Sequence, residues 1–476
     1  MNTKIIKVNK VANTENIVFL LSDLKNLDTD ILSETEINYA RQQHTKNKKE
    51  LISFNHITNW IFIGFIKNEK IKYKKLELCR KAGDKILAEI NTNKISKIFI
   101  NDIEGKADET LAFAEGMALS NYRFLKYKKD KKENSLKSIN IFSKAVKKAE
   151  IDQLNIIVEA TDICRNLVNE PVSFLNAVTL SEEIEKMGRE TGAKVEVLNK
   201  KKIEVLKMGG LLAVNKGSID PPTFTIIEWK PDSPVNTKPY VFVGKGVVYD
   251  TGGLNIKTGN FMENMKSDMA GAAAVASAIY AISMAKLPVH VIGLIPATDN
   301  RLAGNAYVTG DIITMFDGTS VEVINTDAEG RLLLADALSY AKKYNPELVI
   351  DLSTLTGSAQ RAIGKYGIVG METKSEKEFK ELQKSGKNVY ERVVEFPLWE
   401  EYTEEIKSEI ADIKNLGGKT GGAITAGKFL EHFTKYPYIH LDIAGPAFLE
   451  KKDSYRGIGG SGTGVRLLFD FIKSKC

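Results

Sequence analysis

Cysteine is scarce in this chain. Its three copies, Cys79, Cys164 and Cys476, lie far apart and form no CxxC pair. That argues against a disulfide framework and a cysteine-ligated zinc site, and it fits a reducing compartment. Histidine is equally sparse: His44, His56, His290, His432 and His440 are scattered, and no HExxH occurs. A zinc-binding helix of that type is excluded. His290 and His440 fall in strand patterns and read as core or sheet-surface residues. No uncharged apolar run reaches 18 residues, so no transmembrane helix and no membrane partner are expected. The N-terminal MNTKIIKVNKVANTENIVFLL lacks the apolar stretch and small-residue cleavage site of a secretory signal. The expected location is the cytoplasm.

What is present is the composition of a globular enzyme with a sizeable core: 476 residues, 43% hydrophobic and 27% charged. The length suits two or three domains. The net charge of +6 is uneven. Residues 1–150 hold 29 Lys/Arg against 19 Asp/Glu, and the rest hold 38 against 42. The N-terminal excess reads as a lysine-rich solvated surface. It is compatible with DNA contact, but no recognition motif supports that.

Two domains are expected, divided near residue 150. Residues 1–150 alternate short strands (16–21, 60–66, 97–100) with helical patterns (74–90, 107–124), a small α/β domain. The charged stretch from Tyr127 to Glu150 reads as a surface excursion, followed by a helix over 154–171. Within residues 151–476, strands are expected at 240–248, 289–297, 320–325, 347–353 and 438–445. Helices are expected at 263–286, 329–344 and 427–436. Several strands are almost continuously apolar, as in a sheet covered on both faces. The fold class is therefore α/β, with a larger doubly wound catalytic domain around a mixed, largely parallel sheet.

Acids and glycines gather where these strands end. VGKGVVYDTGG (243–253) carries Lys245 and Asp250, followed by Lys257 and by Asp268 early in the alanine-rich helix. NTDAEGRL (325–332) carries Asp327, Glu329 and Arg331. Ligands of open α/β sheets bind at the carboxyl ends of strands. Asp327 and Glu329, two apart, leave an extended segment on one face. Lys245 and Asp250, five apart, need a bend, which Gly244, Gly246, Gly252 and Gly253 allow. Four converging carboxylates repel one another, and two divalent cations would cancel their charge. Such a pair, roughly 3.5–4 Å apart, can hold a bridging hydroxide and polarise a carbonyl. Oxygen ligands suit magnesium or manganese, and zinc is not excluded. The glycine-rich GIGGSGTG (457–464) follows no strand and has no P-loop lysine, so it reads as a loop.

These motifs resemble the leucyl aminopeptidase (M17, cytosol aminopeptidase) family. NTDAEGRL is its specific signature. VGKGVVYDTGG, MKSDMAGAAAV, RNLVNEP, MGGLLAVNKGS, LSTLTGSA, GGAITAGKFL and HLDIAGPA look like its other blocks, together covering roughly 155–476. Thr251 and Tyr249 stand where the family usually has Ser and Phe. The resemblance implies one metal on Asp250, Asp327 and Glu329 and another on Lys245, Asp250, Asp268 and Glu329. The metals would be Zn2+ or Mn2+, with Mg2+ or Co2+ as alternatives. It implies Lys257 and Arg331 as the catalytic pair, with Arg331 holding a bicarbonate, and Met265, Asn325, Thr354, Leu355 and Gly357 as pocket residues. It further implies a homohexamer that removes Leu, Met or other apolar residues from peptides with a free N-terminus. Residues 1–150 would be its variable domain, serving regulation or assembly. In physical terms, Lys245 can ligate only when a nearby dication lowers its pKa. Lys257 would stay cationic to stabilise an oxyanion, and the planar fork of Arg331 suits a carbonate.

Overall fold

The computed structural model describes residues 3–22, 27 and 31–476. The remaining positions of the expected N-terminal domain (1, 2, 23–26 and 28–30) lie outside the described residues. The chain forms two compact units. One contains residues 1–162 together with Lys451–Gly457, and the other contains Ile163–Glu450 and Ile458–Cys476. The division falls after Asp162, within the helix Lys148–Asn169.

The first unit is built on a six-stranded sheet. Its spatial order is Lys4–Lys7, Ser138–Phe142, Lys97–Asn101, Ile17–Leu21, Trp60–Phe65, Leu51–Asn55, all parallel except the last pair. The strand Ser138–Phe142 corrects the surface-excursion reading of 127–150. Ile139 and Ile141 are fully buried in it. Its short apolar core was hidden among flanking lysines. Helices Lys72–Thr92 and Ala107–Ser120 flank the sheet.

The second unit holds a nine-stranded mixed sheet. Strands Tyr438–Asp442, Leu348–Ser353, Tyr240–Gly244 and Val291–Asn300 run parallel side by side at its centre. Gly246–Asp250 also pairs in parallel with Val291–Asn300, with a register shift between Val247 and Asp250. Ile368–Thr373 and Thr223–Trp229 join in antiparallel fashion on either side. The central strands are buried along their whole length, which explains their predominantly apolar sequence. The α-helix Ala270–Met284 packs on the sheet, and fourteen of its residues, Ala270 to Ser283, are buried. Small alanine side chains let it sit close to the strands.

Three expectations shift here. The single strand at 240–248 is two, broken at Lys245. The helix expected from 263 begins at Ala270, after a 3-10 turn at Met265–Ser267, so Asp268 precedes the helix. The strand at 320–325 is confined to Ser320–Glu322, in a separate three-stranded sheet.

Candidate metal centre and active site

Lys245, Asp250, Asn300, Thr354 and Asp442 all stand at or just beyond the carboxyl ends of the central parallel strands. That is the edge where doubly wound sheets leave room for a ligand. Lys245 follows the strand Tyr240–Gly244. Its backbone N–H donates to Leu352 O (3.1 Å), and its carbonyl accepts from Ala272 N (2.9 Å). The backbone is thus anchored on both sides, and the side chain turns inward, 2% exposed. Lys245 Nζ lies 2.8 Å from Asp268 Oδ1, 2.9 Å from Glu329 Oε1 and 3.0 Å from Thr354 O. Gly330 leaves the space for it: a Cβ there would collide with the lysine stem and come within 2.7 Å of Nζ.

Asp250 ends the next strand. Its Oδ1 accepts from Gly252 N and Asn300 Nδ2, both at 2.8 Å, and its Oδ2 faces Lys257 Nζ at 2.7 Å. The chain then reverses through Gly252 and Gly253, whose φ values of +87° and +65° favour glycine. That reversal returns Lys257 to the cluster, where Nζ also donates to Asp327 Oδ1 (2.5 Å). The bend needed to unite Lys245 with Asp250 is therefore the break at Lys245 together with the register shift, not a flexed strand.

Asp327 and Glu329 do not lie in an extended segment as the two-residue spacing suggested. They sit in a turn that leads into the helix Gly330–Ala341, and Glu329 is its N-cap residue in αR conformation. Both carboxylates still reach the cluster. Asp250, Asp327 and Glu329 each offer an oxygen within 4.8 Å of the others, the one such group of three among the described residues. Asp268 joins through Lys245, since its carboxylate and that of Glu329 touch the same ammonium.

Three amides hold the 324–328 turn. Asn255 Oδ1 accepts from Thr326 N (2.8 Å), Asn300 Nδ2 donates to Thr326 O (3.1 Å), and Asn415 Oδ1 accepts from Ile324 N (2.8 Å). Asn415 Nδ2 also donates to Asn325 O (2.8 Å), and its carbonyl accepts from Arg331 Nη1 (2.7 Å). Arg331 is 5% exposed, and its Nε has no hydrogen-bond partner. On the opposite wall, Asp442 accepts from Leu355 N (3.2 Å) and Thr356 Oγ1 (2.8 Å). Sequence reasoning missed Asn255, Asn300, Asn415 and Asp442. For Asn300 the available signal was a polar residue ending a long apolar strand.

Of the expected pocket residues, Thr354 donates through Oγ1 to Asp268 Oδ1 (2.8 Å). Leu355 is tied to Asp442, Met265 lies in the 3-10 turn before Asp268, and Gly357 opens the helix Gly357–Ile363. Asn325 uses its side chain locally, accepting from Asp327 N (2.7 Å). The histidines are engaged elsewhere: His56 with Glu36, His290 with Glu228, and His440, fully buried, with Asp351.

The electrostatics are strained. Burial pushes the Asp250 carboxyl up to about 7, aided by Glu329. Burial likewise raises Asp268 and Asp327. Glu329 is lowered, because Lys245 and Lys257 together outweigh its burial. For Lys245, burial pulls the ammonium down, but Asp268, Glu329 and Asp250 hold it above the usual lysine value. The lowered Lys245 value anticipated from the sequence therefore requires a dication; the protein alone does the opposite. Lys257 is also raised, with Asp250, Glu329 and Asp327 outweighing burial. Burial lowers Arg331 to about 10, which leaves it cationic at neutral pH.

These residues fit divalent cations. Four carboxylates meet two ammonium groups, leaving negative charge in excess. Asp268 Oδ2 and Glu329 Oε1 are buried near Lys245 yet accept no aligned hydrogen bond. Buried carboxylates in excess of their cations are costly, and a divalent cation relieves that cost. The oxygen-rich donor set suits a divalent cation.

Comparison with known proteins agrees. Residues 162–469 match the cytosol aminopeptidase family, catalytic domain. The probable cytosol aminopeptidase of Chlorobium phaeobacteroides is 39% identical over 486 residues, 96% of this chain and 95% of its own. That of Chlorobium limicola is 45% identical over 379 residues, 76% of this chain and 74% of its own. Among solved structures, a mutant of tomato leucine aminopeptidase superposes with a TM-score of 0.88 at 25% identity, covering 99% of this chain and 96% of that one. The bottromycin maturation enzyme BotP in complex with Mn shares the fold, with a TM-score of 0.86 at 24% identity over 98% of this chain and 100% of that one. The chain belongs to the cytosol aminopeptidase family and is a metal-dependent aminopeptidase, a hydrolase of peptides.

Proposed function

We propose that the chain removes apolar N-terminal residues, leucine and methionine foremost, from peptides with a free α-amine, using two divalent cations. The observation that carries this reading is the meeting of four carboxylates and two lysines beside the strand ends, with Lys245, Asp250, Asp268 and Glu329 buried, Lys257 partly buried and Asp327 at the exposed rim. Asp250, Asp327 and Glu329 would hold one cation, and Lys245, Asp250, Asp268 and Glu329 the other, each Zn2+ or Mn2+. When bound, the cations supply Lewis-acid polarisation of the scissile carbonyl and acidify the attacking water.

The chain's own residues do the rest. Lys257 keeps its proton and offers N–H donors to the oxyanion that develops at the carbonyl. Its Nζ, less buried than that of Lys245, is already directed into the cluster by Asp250 and Asp327. Arg331 would hold a bicarbonate as proton acceptor. Its unpartnered Nε and its anchored Nη1 leave one edge of the guanidinium ready for a planar anion. The substrate's α-amine belongs at the Lys245–Asp268 end. Met265, Thr354, Leu355 and Gly357 would line the pocket for its side chain; Asn325, committed to its own loop, would shape the wall. We assign the N-terminal unit to assembly, as part of a homohexamer, or to regulation, and the protein to the cytoplasm.

The test is hydrolysis of a leucine anilide before and after chelation, with Mn2+ and Zn2+ returned separately. Activity should vanish on chelation and return with one of the metals. Acetylating the α-amine of a peptide substrate should abolish turnover, and equal rates on the acetylated peptide would refute the exopeptidase reading.

A further inference from the structure

We propose that Asn300 is a positioning residue of the metal centre, one that selects which oxygen of Asp250 faces the cations. The inference rests on the two-metal reading above and deepens it.

Asn300 ends the strand Val291–Asn300 and is fully buried. Its Nδ2 donates twice, to Asp250 Oδ1 (2.8 Å) and to Thr326 O (3.1 Å). Both neighbours are acceptors, so the amide has to turn its NH2 toward them. Its Oδ1 is left without a partner, near Gly253. An amide buried with its acceptor unused is there for its donors.

Those two donors have a defined consequence. Asp250 Oδ1 already accepts from Gly252 N. With Asn300 added, two N–H groups occupy it, and Oδ2, the oxygen beside Lys257, remains as the ligand atom. The second donor ties Asp250 to the carbonyl one residue before Asp327. The two ligand-bearing segments, 50 and 26 residues away in sequence, are thereby held through one side chain. Only a neutral group with two N–H donors does this without altering the charge of the centre. A serine has a single donor, an aspartate adds a fifth negative charge, and a lysine cancels one. Groups that orient metal ligands in this way typically govern affinity by about 10–100-fold.

The experiment titrates the metal-free full chain with Mn2+ and Co2+ by calorimetry and records the visible spectrum of the Co2+ form. It compares wild type, Asn300→Leu, Asn300→Ala and Tyr307→Phe. Leucine keeps the volume and removes both donors. Alanine removes both donors without adding bulk or charge and carries the test if the leucine variant does not fold. Tyr307→Phe removes the other donor to Thr326 O (2.6 Å) and leaves the Asp250 contact intact.

Expected are affinity losses of about 10–100-fold in both Asn300 variants, with an altered Co2+ spectrum, while Tyr307→Phe keeps the wild-type spectrum. Wild-type affinity and spectrum in the Asn300 variants, with only a lower Tm, would reduce Asn300 to a packing residue and overturn the proposal. So would a Tyr307→Phe spectrum changed as much as that of Asn300→Leu, since the Thr326 tether would then be sufficient. Failure of the wild type itself to bind cations would instead remove the two-metal reading.

Discussion

In the N-terminal unit, Glu77, Arg80 and Glu115 are buried together, with Arg80 Nε 2.6 Å from Glu115 Oε2. Glu77 is met by Arg456 (3.1 Å) and by the Tyr455 hydroxyl (2.7 Å), both from the segment that returns to this unit. Asp453 adds a third acid, 3.4 Å from Arg456, and Lys81 a third cation, 3.8 Å from Glu77, so the paired charges balance. In the catalytic unit, four carboxylates face two ammonium groups. Both clusters have buried centres, and Asp327 stands at the exposed rim of the second. The difference is stoichiometry: a cancelled cluster holds a fold together, whereas an uncancelled one is completed by a ligand of opposite charge. Buried charge alone thus does not mark an active site; unbalanced buried charge does.

The contrast is broken most strongly by removing a carboxylate from the uncancelled cluster. Glu329→Gln should eliminate cation binding in calorimetry and reduce kcat by about a thousandfold or more, since this carboxylate is shared by both proposed cations. Full activity and full Mn2+ occupancy in that variant would dismiss the centre.

Lys257→Met should be milder in one respect: kcat falls by about 10²–10³ while metal content stays at wild-type level, because an oxyanion donor is lost but no ligand. Metal analysis alongside kcat separates the two variants.

In the cancelled cluster the effect should appear in stability alone. Arg80→Met removes the guanidinium that faces Glu115 and should lower the unfolding free energy of the N-terminal unit by about 3–5 kcal/mol, seen in chemical denaturation. Leucine anilide turnover per folded molecule should be unchanged; a selective loss of kcat would blur the distinction between the clusters.

The smallest expected effect concerns a third arrangement, Asp351 with His440 (2.9 Å) and Tyr438 (2.5 Å) inside the sheet. Burial lowers the His440 imidazolium, but Asp351 outweighs it and raises its pKa above the ordinary 6.5. A raised value in the folded state means that the folded protein keeps a proton the unfolded chain releases. The stabilisation is complete below pH 6.5 and is lost as pH rises through the folded value. Tm should therefore decline across that window, and His440→Gln should flatten the decline. An identical slope in the variant would assign it to other groups.

Legibility in the sequence followed apolar continuity. The central strands of the catalytic unit were readable because both their faces are covered, so most of their positions are apolar. Ser138–Phe142 and Lys4–Lys7 were not: each is short, and neighbouring lysines dilute its pattern. The start of the alanine-rich helix was misplaced because the residues before Ala270 are compatible with helix by type. Asp268, held by Lys245 and Thr354, sits in a turn instead. The proposed ligand residues were legible as a set because motif and order mark them. Asn300 and Asn415 were not, since an asparagine in a strand end or loop is ordinary by type and spacing.

The sequence by itself determined the α/β class and the set of acids, lysines and arginine that make up the site, because periodicity and motif are local properties of the chain. Only the tertiary structure decided that Asp327 and Glu329 converge through a turn, and that the field of the carboxylates keeps Lys245 charged. It also decided that residues 451–457 complete the first unit and that the two oxygens of Asp250 meet different partners, Oδ1 the amides of Gly252 and Asn300 and Oδ2 the Lys257 ammonium. Each of these depends on groups far apart in sequence meeting at a few ångströms, where hydrogen bonds and Coulomb forces act, and no local pattern records such meetings.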